Sequence, residues 1–152
     1  MIGSFICVTI GHTNSLHSPC MVEKHNPRRR GFIGKQWDAQ WDTGATCSVI
    51  TPGIIRYLNA APVSYVIVSG VNGIERAAQY YVDFGLPGGV IAEKVLVVEG
   101  TPIGCDLLIG MDIIALGDFI SAYCNGTTHF GFRTPSELPK DDISGLFGVT
   151  EK

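Results

Sequence analysis

Charged residues are scarce in this sequence, at 16% of its residues, and no long region is basic. The formal net charge is −3, so the chain lacks the positive field that attracts nucleic-acid phosphates. Its one basic cluster, "NPRRRG" at 26–31, is typical of a solvated loop. Apolar runs are short, and none approaches the length of about 18 residues that a membrane-spanning helix requires. These absences predict a protein with no nucleic-acid or membrane partner.

Paired cysteine motifs are also missing. The chain has five cysteines without Cys-x-x-Cys spacing, and an odd, dispersed set disfavours a disulfide framework. The first residues, "MIGSFICVTIGH", lack the basic segment of a secretory signal and have the β-branched and aromatic residues of a strand. We therefore predict free thiols, a reducing compartment and a cytoplasmic location.

Glycine and apolar residues, by contrast, are abundant. There are 19 glycines and 8 prolines, and apolar residues make up 45% of the chain. Short apolar runs separated by so many turn-forming residues predict an all-β fold. The length of 152 residues indicates one domain with a substantial core. Within it we distinguish an N-terminal strand and polar loop (1–35), which belong to the same domain, a central region (36–134) and a flexible or interface-forming tail (135–152).

Local patterns predict the order of elements. Residues 35–41, "KQWDAQW", alternate apolar and polar side chains as a half-buried strand does. Thr51 and Pro52 are preferred residue types at a helix start, so we place a short helix at 51–58. Asn125-Gly126 between two alternating segments indicates a tight hairpin. The other predicted elements are a strand at 4–11, a long loop at 12–34, a hairpin at 63–86, a strand at 90–99, a strand and short helix within 106–119, and a hairpin at 119–132.

The segment that suggests chemistry is "WDTGATCSVI" at 41–50. Asp42 stands where a strand leaves the core, and its carboxylate can accept hydrogen bonds from the turn that Gly44 permits. Thr43 adds a small hydroxyl that can both donate and accept. A rigid loop presenting one ionisable group is what a catalytic carboxylate requires. Asp38, on the polar side of its strand, is interpreted as a solvated carboxylate.

A second segment, "LLIGMDII" at 107–114, provides an apolar pair, a glycine and a short helix. Together with "WDTGATCSVIT" it resembles the retropepsin-like aspartic proteases, most closely bacterial or phage members and the retropepsin domain of cellular regulatory proteases. The resemblance covers roughly residues 36–132. It implies a closed acid-protease-type β-barrel with a flap hairpin and one or two short helices.

The resemblance also implies a role for each residue of the first motif. Asp42 supplies the catalytic carboxylate, Thr43 hydrogen-bonds across a dimer axis, and Gly44 permits the turn and the close approach of substrate. This chemistry needs two carboxylates that share one proton, and the chain has a single Asp-Thr-Gly. A second copy must then supply the other carboxylate. The implied enzyme is a homodimeric aspartic endopeptidase that hydrolyses polypeptides with an activated water and no cofactor.

Other residues receive supporting roles from the same resemblance. Leu108, Ile109 and Gly110 are implied to support the active-site loop. The hairpin within 63–82 is implied to be the flap that closes over bound peptide. The residues expected to contact substrate are Ala45 and the flap residues Ser69, Gly70, Val71, Asn72 and Gly73. Asp112 is expected to have a structural role, at the N-terminus of its helix or paired with an arginine.

Two other functions remain open at this point. A non-catalytic module of the same fold would bind peptide or dimerise a partner without cutting. An unrelated β-barrel with a chance Asp-Thr-Gly turn would be a monomer. His12, His17, Cys20 and His25 are residue types that bind zinc, but their spacing matches no common finger, so we interpret them as loop residues and predict no metal.

Overall fold

The computed structural model describes residues 2–70 and 73–138, and these contain ten strands and two short α-helices. The strands are β1 (Gly3–Ile10), β2 (Leu16–Lys24), β3 (Gln36–Trp41), β4 (Val49–Ile50), β5 (Ser64–Gly70), β6 (Gly73–Gly85), β7 (Ile91–Glu99), β8 (Leu107–Ile109), β9 (Asp118–Cys124) and β10 (Thr127–Thr134). The helices are α1 (Pro52–Leu58) and α2 (Met111–Ile114), and one 3₁₀ turn spans Pro87–Gly89. Neither helix has the length and apolar character needed to cross a bilayer. Val71 and Asn72 of the expected flap tip, and 139–152 of the expected tail, lie outside the described residues.

Seven strands form one sheet in the order β2-β3-β8-β4-β7-β6-β5. The first part of β2 pairs with β3, and residues 21–24 of β2 pair with residues 82–85 of β6. This additional pairing closes six strands into a ring, and β5 continues the sheet beyond β6. Closing a sheet removes the unpaired edges that would otherwise invite aggregation. The predicted all-β fold, a closed β-barrel with two short helices, is confirmed.

Trp41, the last residue of β3, joins this ring to a second sheet of three strands in the order β1-β10-β9. The Trp41 indole packs against four phenylalanines of the second sheet. The distances between ring centroids are 5.6 Å to Phe5, 5.8 Å to Phe119, 5.9 Å to Phe130 and 5.2 Å to Phe132. Each such aromatic pair stabilises a fold by about 0.5–1.5 kcal/mol beyond its buried area. The indole Nε1 donates to Ser18 Oγ at 2.9 Å. The end of β3 is therefore fixed directly before Asp42.

The prediction of a long loop at 12–34 was wrong in its middle part, which is strand β2. Ser18, Cys20 and Val22 on this strand are buried, so one of its faces belongs to the core. A serine at a buried position and Pro19 within the strand hide the period-two apolar pattern in the sequence. The buried Ser18 hydroxyl is satisfied by the indole of Trp41, a partner that lies far away in sequence.

A buried carboxylate ties the segment after β2 to the barrel. Asp83 of β6 is 1% exposed. Its Oδ1 accepts hydrogen bonds from His25 Nδ1 at 2.8 Å and Lys94 N at 2.7 Å, and its Oδ2 accepts one from Asn26 N at 3.2 Å. Arg29 Nη2 lies 3.3 Å from the same Oδ2. Burial opposes ionisation of Asp83, but the hydrogen bonds outweigh it and lower the pKa of this carboxyl below its ordinary value.

The other predicted elements agree with the structure within a few residues. Helix α1 begins at Pro52 with Thr51 at its N-cap, although the Thr51 side chain makes no capping hydrogen bond. Asn125 and Gly126 have φ values of 50° and 78°. Two consecutive positive φ angles are what a tight hairpin of the type I′ class requires, which explains the Asn-Gly pair.

Candidate active site

Asp42 lies immediately after β3, at the start of the loop that leads to β4. Its backbone N–H donates to the carbonyl oxygen of Ile109 at 3.0 Å, so the loop begins against β8. Its side-chain Oδ1 accepts a hydrogen bond from Gly44 N at 2.8 Å, and its carbonyl accepts one from Ala45 N at 3.2 Å. The side chain is half-buried. The carboxylate is thus held in a defined orientation by its own turn while part of it faces solvent.

The two residues after Asp42 are exposed. Thr43 directly follows the catalytic candidate in the turn. Gly44 lies outside the left-handed region, so the turn itself does not demand a glycine. A Cβ at position 44 would stand 3.1 Å from Asp42 Oδ1, so a larger residue would press on the carboxylate. The close approach to the carboxylate, rather than a positive φ, is what the structure shows at Gly44.

Strand β8 and the residue after it pack against the loop that begins at Asp42. β8 lies parallel to β3 and antiparallel to β4, with Leu108 opposite Gln40 on one side and Val49 on the other. Gly110 follows, and a Cβ there would come within 2.6 Å of the Cys47 carbonyl carbon. Met111 N donates to Ala45 O at 2.8 Å. Only a glycine at position 110 allows the two segments to approach this closely.

Ser48 is a site residue that the sequence did not reveal. It is fully buried, and its N–H and Oγ donate to Asp112 Oδ2 and Oδ1 at 2.9 and 2.8 Å. Its Oγ also accepts a hydrogen bond from Gly110 N at 3.0 Å. Asp112 therefore has a structural role, as expected: it lies in the first turn of α2, and its partner is Ser48 rather than an arginine. The sequence held one signal for this role. Ser48 and Ile50 share one face of the chain, so Ser48 is placed in the core, where its hydroxyl requires a hydrogen-bond partner.

Replacing Ser48 with alanine should destabilise the protein by about 2 kcal/mol, because Gly110 N–H and one oxygen of Asp112 lose their buried partner. Urea denaturation would measure the change. The matched control is Ser64→Ala, whose hydroxyl bonds Gln79 Oε1 at an exposed position and should matter by less than about 0.5 kcal/mol. Equal losses in the two variants would show that the Ser48 network does not hold the loop.

The expected flap is the β5–β6 hairpin, which pairs from Ser64 opposite Gln79 to Gly70 opposite Gly73. Tyr65, Ile67 and Ile74 lie on one face of it and are mostly exposed. Exposed apolar side chains gathered on one face of a hairpin are typical of a surface that contacts another molecule. Ser69 is exposed on the same face, opposite Ile74.

The remaining sulfur and nitrogen candidates have separate surroundings. Burial, with a contribution from Asp112, raises the pKa of the Cys47 thiol, which disfavours the reactive thiolate at this position next to the loop. His12 packs on Tyr123 at 5.5 Å, while Cys20 is in the core. His17 and His25 bind different carboxylates, and no potential metal cluster occurs in the part of the chain that the structure describes.

Comparisons with known proteins agree with this architecture at the level of the fold. No family model matches the chain, and no curated protein matches it in sequence. The structure of a retropepsin-like aspartic protease from Rickettsia conorii matches with a TM-score of 0.54 at 10% identity, over 87% of this chain and 94% of that one. The Simian foamy virus (mac) protease matches with a TM-score of 0.46 at 17% identity, over 66% and 92% of the two chains. The EIAV protease in complex with an inhibitor matches with a TM-score of 0.49 at 16% identity, over 70% of this chain and 91% of that one.

The chain therefore has the retropepsin-like aspartic protease fold, and the resemblance inferred from its two motifs is confirmed at that level. In this fold Asp42 lies on a loop that is hydrogen-bonded to β8 and to the first residue of α2. At 10% identity the likeness defines the fold alone, so the activity has to be argued from the residues of the site.

Proposed function

We propose that this protein is a homodimeric aspartic endopeptidase in which Asp42 of each subunit contributes one carboxylate. The observation that carries the proposal is the placement of Asp42 on a braced loop within a retropepsin-like fold. The loop is held by Ile109, Met111 and the Ser48–Asp112 network. A loop fixed from several sides, with its one carboxylate partly exposed, is preorganised for chemistry on a bound molecule.

The need for two subunits follows from the chemistry of peptide hydrolysis. Two carboxylates at contact distance share one proton, because both cannot be ionised together. The ionised member takes a proton from the attacking water, and the protonated member donates a hydrogen bond to the scissile carbonyl. The apparent pKa values belong to the pair. A single Asp-Thr-Gly in the chain makes a symmetric dimer the simplest source of the second carboxylate. Thr43, exposed beside Asp42, would then brace the two loops across the dimer axis.

Substrate would bind as an extended strand between the Asp42 loops and the β5–β6 hairpin. An added strand gains main-chain hydrogen bonds, and pockets for alternate side chains give specificity. Tyr65, Ile67 and Ile74 on one face of the hairpin favour apolar substrate side chains. Closure of this hairpin would exclude water from the reacting bond.

The test is cleavage of a degenerate peptide library between pH 4 and 7 over a series of protein concentrations, with sedimentation measured on the same samples. We expect the specific activity to rise with the dimer fraction and to level off once the protein is dimeric. Absence of cleavage in samples that are dimeric would reject the protease and favour the peptide-binding module. Constant specific activity in samples that are monomeric would reject the shared site.

A further inference from the structure

Ser15, His17 and Asp38 form a continuous line of hydrogen bonds on the outer side of β2 and β3. Ser15 Oγ lies 2.6 Å from His17 Nε2, and His17 Nδ1 lies 2.8 Å from Asp38 Oδ2. The side chains of His17 and Asp38 are 32% and 48% exposed, and Ser15 is partly exposed. A hydroxyl, an imidazole and a carboxylate in this order are the groups that serine nucleophiles use.

The Asp38 carboxylate determines which ring nitrogen of neutral His17 carries the hydrogen. Ionised Asp38 has no donor, so the neutral ring places its hydrogen on Nδ1 and leaves Nε2 unprotonated. Nε2 is then an acceptor, and the Ser15 hydroxyl must donate to it. The Ser15 proton therefore already points at the base that would remove it, and Asp38 would stabilise the imidazolium that forms.

Both ends of this line are held by the backbone. Ser15 N donates to Thr13 Oγ1 at 3.1 Å, and Thr13 N donates to Thr128 Oγ1 on β10 at 3.1 Å. Asp38 N donates to Asp106 Oδ2, and Asp106 N donates to Asp38 O, each at 2.9 Å. The segments that carry Ser15 and Asp38 are therefore both anchored to the rest of the fold, with His17 between them. A nucleophile and base fixed in this way pay little entropy to reach the reactive geometry.

We propose that Ser15 is a nucleophile that reacts with activated carboxylic and phosphonic esters, with His17 as its general base and Asp38 as a positioning residue. The Ser15 oxygen bonds to the acyl carbon while its proton passes to His17 Nε2. The bond to the leaving group then breaks, and the leaving alcohol takes that proton. Water releases the acyl group by the same steps, which gives a carboxylic acid and restores Ser15.

This site and the Asp42 loop are separate places on the fold. Asp38 lies within β3 and contacts His17, whereas Asp42 lies in the loop after the end of this strand and accepts its hydrogen bond from Gly44 N. The proposal needs one chain only, with no dimer and no second Asp42. Its success or failure is therefore independent of the proposed protease function.

The experiment is labelling of the full-length protein with a fluorophosphonate probe, in which the Ser15 oxygen displaces fluoride and His17 receives the proton. Mass spectrometry of peptides would locate the label, and we expect it on Ser15. His17→Gln should slow labelling by roughly 10²-fold or more, since glutamine cannot act as the base. Asp38→Asn should slow it at least about tenfold, because asparagine can stabilise the wrong imidazole tautomer.

Controls separate reactivity from structure. Asp42→Asn should label at the wild-type rate. Thr127→Ala should as well, although Thr127 Oγ1 lies 2.7 Å from His129 Nε2 in a similar hydroxyl–imidazole pair. Urea denaturation of each variant would show that it is folded. Labelling of Ser15 no faster than that of the exposed Ser64, or a rate unaffected by His17→Gln in a folded variant, would overturn the proposal and leave the line as a structural contact.

Discussion

Asp42→Asn is expected to abolish peptide hydrolysis while the protein keeps its fold. Asparagine has the same shape and can still accept the hydrogen bond that Gly44 N gives to Oδ1. It has no ionised state, however, so a dimer of this variant has neither a base for the water nor an acid for the carbonyl. We expect cleavage to fall by at least about 10³-fold, the scale of a lost general acid–base group.

Cleavage of a peptide found in the library screen would measure this loss, and sedimentation would show that the variant still dimerises. Unchanged cleavage by folded, dimeric Asp42→Asn would remove the aspartic mechanism. Thr43→Ser is a useful companion because it keeps the hydroxyl beside the carboxylate. It should retain most of the activity, since the bracing interaction assigned to Thr43 uses only that hydroxyl.

A mixing experiment tests whether the carboxylates are shared. If Asp42→Asn is refolded together with an equal amount of wild type, random pairing places about half of the wild-type subunits in mixed dimers. Each mixed dimer has one carboxylate and should be inactive. The activity per wild-type subunit should therefore fall to about half. An activity that does not change would mean that each subunit works alone.

Strands could be recognised from the sequence where every buried position is apolar and alternates with polar or exposed positions. Trp37, Ala39 and Trp41 are all apolar and all buried, so β3 could be recognised without its neighbours. β2 has the same alternation, but Ser18 and Pro19 disguise it, and the hydroxyl of Ser18 is tolerated only because the Trp41 indole reaches it. A pattern that depends on a partner from another strand has no local signal.

The same distinction applies to the candidate site. Asp42 could be singled out because the turn that orients it lies within the next two residues. Ser48 binds Asp112, and His17 binds Asp38, across long stretches of chain. Asp38 was interpreted as merely solvated, since only the register of β2 against β3 brings His17 to it. Contacts made by strand pairing follow from topology, and topology was inferred only through the family resemblance.

Asp83→Asn is expected to cause the largest loss of stability among single changes that preserve side-chain shape. The buried carboxylate accepts hydrogen bonds from His25, Asn26 N and Lys94 N. An asparagine offers one acceptor oxygen and turns two N–H groups toward these donors, so buried donors lose their partners. Breaking a buried charged network in this way costs about 3–5 kcal/mol. Urea denaturation at neutral pH would measure it.

The matched control is Asp38→Asn, which alters a carboxylate with the same 2.8 Å contact to a histidine but in an exposed position. Solvent screens that pair, so the loss should be less than about 1 kcal/mol. Similar losses in the two variants would contradict the role of burial. A change in the slope of unfolding with urea would point instead to an altered denatured state.

The pH dependence of the Asp83 effect has a defined sign. The folded-state pKa of Asp83 is lowered, so the stability that its ionised form contributes is fully present above the unfolded value of about 4. It is lost as the pH falls through the folded-state pKa, where the native carboxyl takes up its proton. The difference in unfolding free energy between wild type and Asp83→Asn should therefore shrink as the pH falls below about 4. A difference that persists undiminished at pH 2 would mean that the geometry of the network, rather than its charge, holds the segment after β2 on the barrel.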